Sequence, residues 1–317
     1  MSDPVALRPV TATPPSTADD DPRVGHLLGR GEEWRVTIVG FPSDEGVRRN
    51  GGRPGAAAGP GEIRRWLDRL TADPRSTALE TLLAATRDLG DVDVSGDLER
   101  DQEALGAVVA AQLAADRWVV VLGGGHEVAY GHFLGYALAG RGVEILNWDA
   151  HADVRDLVAG AAHSGSPFRQ ALEHPSGLCA GYTVAGLQPH SVAVAHRRFL
   201  EERGARVVWR EQVGPETPRA LIGALRRDAL VTFDLDALDQ SVAPGVSAPA
   251  TGGLDLDLWL RAAEEAGRSP RVRSIDVAEL APELDRDGQT ARVAALTVWR
   301  FLRGLAERAA ASTNDRR

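Results

Sequence analysis

The chain has 317 residues, of which 43% are hydrophobic and 26% are charged, and its formal net charge is −9. This composition is typical of a soluble globular protein and excludes wholesale disorder. No apolar run approaches the roughly 20 residues that cross a bilayer, and the acidic balance disfavours a nucleic-acid backbone as a partner. One cysteine, Cys179, leaves no internal disulfide, which fits a reducing cytoplasm.

The first 33 residues differ from the rest of the chain. They are rich in Pro, Thr and Asp, show no periodic pattern and have no apolar stretch behind a basic start. We therefore expect a disordered or loosely docked tail over residues 1–33 and no signal peptide. No linker rich in Pro, Gly or Ser interrupts the remainder, which predicts a single domain over residues 34–311.

Short apolar runs alternate with longer amphipathic stretches in this domain. The runs predict strands at 35–41, 118–124, 143–149, 182–187, 205–210, 230–236 and 272–280. The amphipathic stretches predict helices at 59–70, 98–117, 190–204, 215–228 and 290–310. Repeated alternation of this kind favours an α/β fold with a mostly parallel sheet covered by helices on both faces. Ligands of such folds bind at the carboxyl ends of the strands.

Acidic and imidazole side chains follow four of the predicted strands. They are His126 and Glu127, then Asp149, His151 and Asp153, then Asp234 and Asp236, and finally Asp276 and Glu279. Alternate residues of an extended chain point the same way, so the D-x-H-x-D and D-x-D spacings each aim their side chains to one side. Four crowded aspartates would repel one another, at a cost on the order of several kcal/mol. Two divalent cations would balance their charge, and this oxygen-rich set with imidazole and no thiolate suits Mn²⁺, with Fe²⁺, Co²⁺ or Zn²⁺ as alternatives.

Three motifs in the chain resemble the signatures of the ureohydrolase superfamily of arginases, agmatinases and formimidoylglutamases. They are GGGHE at 123–127, DAHAD at 149–153 and D-x-D-x-x-D at 234–239, and the resemblance covers about residues 34–305. It implies a three-layer α/β/α sandwich around a parallel eight-stranded sheet, with two Mn²⁺ ions per subunit. One ion would be held by His126, Asp149, Asp153 and Asp234, and the other by Asp149, His151, Asp234 and Asp236. Gln240 departs from the pattern, which usually has Pro at that position.

Within the superfamily, the chain looks most like the formimidoylglutamases. It has GGGHE where arginases and agmatinases usually have GGDH, and the segments 43–57, 149–155, 163–170 and 243–250 also resemble formimidoylglutamase motifs. The resemblance implies hydrolysis of N-formimidoyl-L-glutamate to glutamate and formamide by a metal-bridging hydroxide, as a step of histidine degradation. It also implies that His163 donates the proton to the leaving amine and that Glu279 grips the amidine nitrogens.

The two carboxylates of such a substrate would require arginine, because the guanidinium fork matches a carboxylate. Arg155 is the first candidate, since it lies two residues beyond Asp153. Arg48, Arg49 and Arg169 lie in the other resembling segments and are further candidates.

Two other functions stay open at this point. A different ureohydrolase would act on agmatine or a guanidino acid and release urea. A non-catalytic assembly or regulatory protein could use the metals for stability alone, although such a protein would need neither His163 nor Glu279. By analogy with relatives, the 290–310 helix would pack on a neighbouring subunit of a homotrimer or homohexamer.

Overall fold

The structure, a computed structural model, describes residues 5–10 and 21–314. Its strands are β1 Leu7–Arg8, β2 Val36–Phe41, β3 Thr86–Val92, β4 Trp118–Gly123, β5 Val143–Trp148, β6 Cys179–Leu187, β7 Arg206–Trp209, β8 Asp228–Asp234 and β9 Val272–Ala278. Its helices are α1 Val24–Leu27, α2 Glu45–Arg49, α3 Gly59–Leu67, α4 Ala78–Ala84, α5 Leu98–Ala114, α6 Val128–Leu138, α7 Pro167–Leu172, α8 Val194–Glu202, α9 Thr217–Ala224, α10 Leu256–Arg268 and α11 Gln289–Asn314.

The strands form one sheet in the order β1-β3-β2-β4-β9-β8-β5-β6-β7. All neighbouring pairs are parallel except β1 with β3, so the sheet has eight parallel strands and one short antiparallel edge strand. The predicted α/β class and the eight parallel strands are confirmed. β4, β9, β8 and β5 are adjacent in the sheet, and these four strands precede the predicted ligands. Their order therefore brings the ligand-bearing ends together.

Helices cover both faces of the sheet, as predicted. One face packs against α1, α3, α4, α9, α10 and α11, and the other packs against α5, α6, α7 and α8. The central strands divide their side chains between the two layers. On β8, for example, Val231 and Phe233 join the first core, whereas Leu230 joins the second. This two-sided burial explains why the central strands are nearly continuous apolar runs.

Several elements were not predicted. β3 was missed because its sequence, TRDLGDV, is charged and its side chains are only partly buried near the sheet edge. α6 and α10 were also missed. α6 is apolar on all sides because it is buried, so it lacks the one-sided stripe that identifies a surface helix.

The predicted tail lies partly outside the described residues. Its described parts pack against the domain: Leu7 and Arg8 pair with β3, and Val24 and Leu27 are buried in the first core. No helix in the described ranges is long and apolar enough to cross a membrane.

Candidate metal centre

The metal centre lies where β4, β9, β8 and β5 end. Asp234 is the last residue of β8, and Asp149 directly follows β5. His126 lies in the turn between β4 and α6. The backbone φ of Asp153 is 46° and that of Glu279 is 71°, both in the left-handed region that non-glycine residues rarely adopt. Such strained positions are concentrated at functional sites, where the surrounding structure holds them.

The first ligand group surrounds the His126 ring. Its Nδ1 lies 2.8 Å from Asp234 Oδ2, 2.9 Å from Asp153 Oδ2 and 3.3 Å from Asp149 Oδ2. All four residues offer ligand atoms within 4.8 Å of one another. This is the set that the resemblance implies for the first ion.

The second group consists of Asp149, His151 and Asp236. His151 Nδ1 lies 3.0 Å from Asp236 Oδ2 and 3.6 Å from Asp149 Oδ1. Asp149 therefore belongs to both groups, as the resemblance implies. Asp234 belongs only to the first, so its predicted bridging position is not reproduced. Its Oδ1 instead accepts a hydrogen bond from the backbone amide of Asp236, at 2.8 Å.

The charges of these side chains fit divalent cations. Burial raises the pKa of Asp236 to about 6, with a further contribution from Asp149. Burial and the charge of Asp236 raise the pKa of Asp234 well above its ordinary range. Within the described part of the chain, Asp236 Oδ1 is buried and has no hydrogen-bond partner. Buried anions that repel one another and carry a free oxygen are the environment that a divalent cation stabilises.

Glu279 lies on the wall of the same site. Its Oε1 accepts a hydrogen bond from the backbone amide of His126, at 2.8 Å. Burial raises its pKa well above the ordinary value, and the charges of Asp234 and Glu127 act in the same direction. The structure thus places Glu279 beside both ligand groups, where the prediction located it.

A cavity of about 110 Å³ opens above the ligands. Apart from ligand residues and Glu279, its lining includes Asn50, Arg155, Ser164, Ser191, His196 and Ser247. Arg155 is exposed at the rim, and its guanidinium donates a hydrogen bond to Asn50 Oδ1 at 3.3 Å. Arg155 therefore lies beside the ligand groups, and its role in substrate binding stays a prediction.

His163 is buried but does not line the cavity. Its Nε2 lies 3.0 Å from the carbonyl oxygen of Asp156, and its Nδ1 accepts a hydrogen bond from the amide of Gly165 at 3.2 Å. Both ring nitrogens are therefore occupied by the backbone. This geometry does not support the predicted proton transfer by His163. The ring is hydrogen-bonded to the backbone of its own loop and is not part of the cavity lining.

The other three predicted arginines are also placed away from the cavity lining. Arg48 pairs with Asp44 at 3.2 Å, and Arg49 pairs with Glu99 at 2.8 Å. Arg169 pairs with Asp156 at 3.1 Å. These arginines pair with nearby carboxylates, and the structure does not bring them to the cavity lining.

Asn50, Ser191 and His196 line the cavity but were not predicted. Asn50 belongs to the segment 43–57, which resembles a formimidoylglutamase motif and in which only the arginines were substrate candidates. Ser191 and His196 lie near the start of α8. The sequence predicts a helix over 190–204, and nothing in its spacing indicates a ligand.

Comparisons with known proteins agree with this geometry. The sequence model of the Arginase family matches residues 34–303. A formimidoylglutamase of Nocardia farcinica is 41% identical over 275 residues, which cover 84% of this chain and 85% of that protein. The crystal structure of Trypanosoma cruzi formiminoglutamase with Mn²⁺ has a TM-score of 0.82 at 32% identity and covers 91% of this chain and 100% of that one. Formimidoylglutamase from Bacillus subtilis has a TM-score of 0.82 at 25% identity and covers 95% of this chain and 96% of that one. The chain therefore belongs to the arginase family.

Proposed function

We propose that the protein is a manganese-dependent formimidoylglutamase, which hydrolyses the amidine C–N bond of N-formimidoyl-L-glutamate to L-glutamate and formamide. The observation that carries the proposal is the cavity that joins two imidazole–carboxylate groups, sharing Asp149, to a rim bearing Arg155. The similarity to formimidoylglutamases over most of both chains supports the same substrate.

The side chains divide the chemistry between the two ends of the cavity. The two groups of ligands would hold the Mn²⁺ ions, and when bound these would supply a water of lowered pKa as the nucleophile. Glu279 accepts hydrogen bonds from the cationic amidine nitrogens and so holds the reacting carbon over the ligands. Arg155 binds a substrate carboxylate at the rim, where a cationic substrate such as agmatine would be repelled.

The leaving amine must gain a proton, and we assign that proton to His196. Among the described residues lining the cavity, His196 is the imidazole outside both ligand groups. Burial lowers the pKa of His196, and the positive charge of Arg155 lowers it further. An imidazole that reaches the cavity can transfer a proton to the leaving amine.

The proposal is tested with Mn²⁺-loaded protein and a panel of N-formimidoyl-L-glutamate, agmatine and guanidino acids. We expect formamide from N-formimidoyl-L-glutamate, and neither formamide nor urea from agmatine or the guanidino acids. Urea release from agmatine or a guanidino acid would instead indicate a different ureohydrolase. His196→Asn should lower kcat, whereas His190→Asn, an exposed histidine of the same segment, should not.

We further propose that the enzyme acts in histidine degradation in the cytoplasm as a homo-oligomer. The substrate class supports the first part, and the single cysteine in a protein with no disulfide is consistent with a reducing compartment. Light scattering of the purified chain would measure the oligomeric state, with a trimer or hexamer expected.

A further inference from the structure

We propose that Thr232 and Asp276 position His126 for metal binding through a chain of hydrogen bonds inside the core. The inference rests on the metal centre of the proposed function but not on its substrate. Five side chains beneath His126 form the chain, which we call the core relay: Thr232, Asp276, His132, Ser274 and Tyr136.

The first link concerns the two nitrogens of the His126 ring. Nδ1 faces three carboxylates of the first ligand group, so it is the atom that would bind a metal. With Nδ1 bound to a metal, the neutral ring carries its proton on Nε2. Nε2 lies 2.9 Å from Thr232 Oγ1, which is therefore the acceptor for that proton.

The next links run from Thr232 to Asp276 and on to α6. The Thr232 hydroxyl donates to Asp276 Oδ1 at 2.5 Å. The other oxygen, Asp276 Oδ2, lies 2.7 Å from His132 Nδ1. His132 Nε2 lies 2.7 Å from Ser274 Oγ, which in turn lies 2.6 Å from the Tyr136 hydroxyl.

The Tyr136 hydroxyl is closer to Ser274 Oγ, at 2.6 Å, than to the carbonyl oxygen of Ala229, at 3.4 Å, and we take Ser274 as its acceptor. Hydrogen bonds run from Tyr136 through Ser274 and His132 to one oxygen of Asp276, and from His126 through Thr232 to the other. Asp276 then accepts from both directions, and the Thr232 hydroxyl is committed as a donor to it. The Thr232 oxygen can consequently receive only the His126 Nε2 proton, which fixes the orientation of the ring and its tautomer.

The location of the core relay argues against a purely structural role. All five residues are fully buried, and Thr232 is the direct neighbour of Asp276 in the β8–β9 register. Aliphatic side chains occupy the same face of the sheet nearby, such as Val121 and Leu230. Replacing a buried polar network by packed aliphatic residues often leaves stability unchanged or increases it. Stability alone therefore does not require polar groups here, whereas an oriented metal ligand does.

Thr232→Val tests the first link, because valine keeps the shape and removes the acceptor. We expect Mn²⁺ titration of the metal-free full chain to show one of the two sites weakened by about 10- to 100-fold. Thr232→Ser, which keeps the hydroxyl, should bind Mn²⁺ within about threefold of wild type, a smaller loss than the range expected for Thr232→Val. Thr86→Val is the matched control, since Thr86 is equally buried at the start of β3 and its hydroxyl donates to the carbonyl of Leu82. Asp276→Asn should weaken the same site and replaces Thr232→Val if that variant does not fold.

A spectroscopic measurement on the wild type requires no variant to fold. In the Zn²⁺-loaded, ¹⁵N-labelled protein, the His126 ring should carry its proton on Nε2, with Nδ1 bound to the metal. A proton on Nδ1 would overturn the inference. Mn²⁺ affinity in Thr232→Val equal to wild type at both sites would also overturn it, as would an equal loss in Thr86→Val. Wild-type protein that binds no Mn²⁺ would overturn the metal centre and this inference together, whereas turnover of an unexpected substrate would contradict only the proposed function.

Discussion

The carboxylate of Glu127 fills the space beside the Cα atom of Gly125. A Cβ atom on Gly125 would overlap Glu127 Oε2 and lie 2.9 Å from Glu127 Cδ. The carboxylate is held there by the amide of Gly46, which donates to Oε1 at 2.8 Å, and burial raises its pKa to about 8. The glycine that distinguishes GGGHE from GGDH is thus required by the glutamate two residues later.

Gly125→Ala should therefore destabilise the fold by about 1–3 kcal/mol, because the methyl group overpacks a filled site. Thermal unfolding should show a lower Tm. Gly61→Ala is the control: Gly61 lies in α3 with open space around it, and alanine there should be neutral or stabilising. Combining Gly125→Ala with Glu127→Ala should recover only part of the loss, since Val47 Cγ2 would still lie 2.5 Å from the new Cβ. An unchanged Tm in Gly125→Ala would contradict the overlap.

Asp149 and Asp236 should differ in their effect on metal content. Asp149 belongs to both ligand groups, whereas Asp236 belongs only to the second. We expect Asp149→Asn to lose both Mn²⁺ ions and Asp236→Asn to lose one, measured as bound metal per chain after desalting. Asp116→Asn, an exposed carboxylate far from either group, should keep both. Loss of both ions in Asp236→Asn would mean that the two groups do not bind independently.

Arg155 should determine how tightly a dicarboxylate substrate binds. Arg155→Met should raise KM for N-formimidoyl-L-glutamate by about tenfold or more, since a hydrogen-bonded charge contributes about 1.5–3 kcal/mol. The effect on kcat should be smaller, because the rim lies away from the reacting carbon. Arg48→Met is the matched control, as Arg48 pairs with Asp44 outside the cavity lining. Equal increases in KM for the two variants would refute the assignment of Arg155.

A second cluster of charges, remote from the metal centre, predicts a pH effect on stability. Arg64 is buried and bonds both Asp88 and Asp91, at 2.7 Å and 2.5 Å. Asp68 shares this cluster without a bond to the guanidinium, and burial, together with the charge of Asp88, raises its pKa to about 6. The folded state therefore binds a proton at Asp68 more tightly than the unfolded state does. Protonation of Asp68 stabilises the folded state fully below about pH 4, and this contribution is lost as the pH rises through 6.

Asp68→Asn should remove this loss of stability at higher pH. The variant should be more stable than wild type at pH 7.5, by about 1–2 kcal/mol after a discount for solvent screening, and the gain should shrink toward pH 4. Urea unfolding at the two pH values measures the difference. Asp287→Asn, at an exposed carboxylate, should show no such change with pH. A gain of the same size at both pH values would indicate packing instead of titration.

The sequence alone predicted the ligands of the metal centre because they obey local rules. Asp149, His151 and Asp153 follow β5, and Asp234 and Asp236 lie at the end of β8, so the shared carboxyl edge of the parallel strands brings them together. The extended backbone expected for these spacings is not present, because Leu235–Ala237 form a 3-10 helix and Asp153 has a φ of 46°. The strand–helix alternation predicted the parallel sheet for a similar reason, since two-sided burial leaves apolar runs. Strand β3, which is charged and only partly buried, does not follow that rule and was missed.

Tertiary structure decided which of the remaining polar residues reach the cavity. Arg155 and Arg169 belong to neighbouring segments of similar composition, yet one lies at the cavity rim and the other pairs with Asp156. His163 matched a motif, but the backbone holds its ring, while His196 reaches the cavity from α8. Long flexible side chains take their partners from contacts between distant segments, and no local spacing encodes those contacts. Ligands at strand ends were predictable because parallel strands place their carboxyl ends at one edge of the sheet.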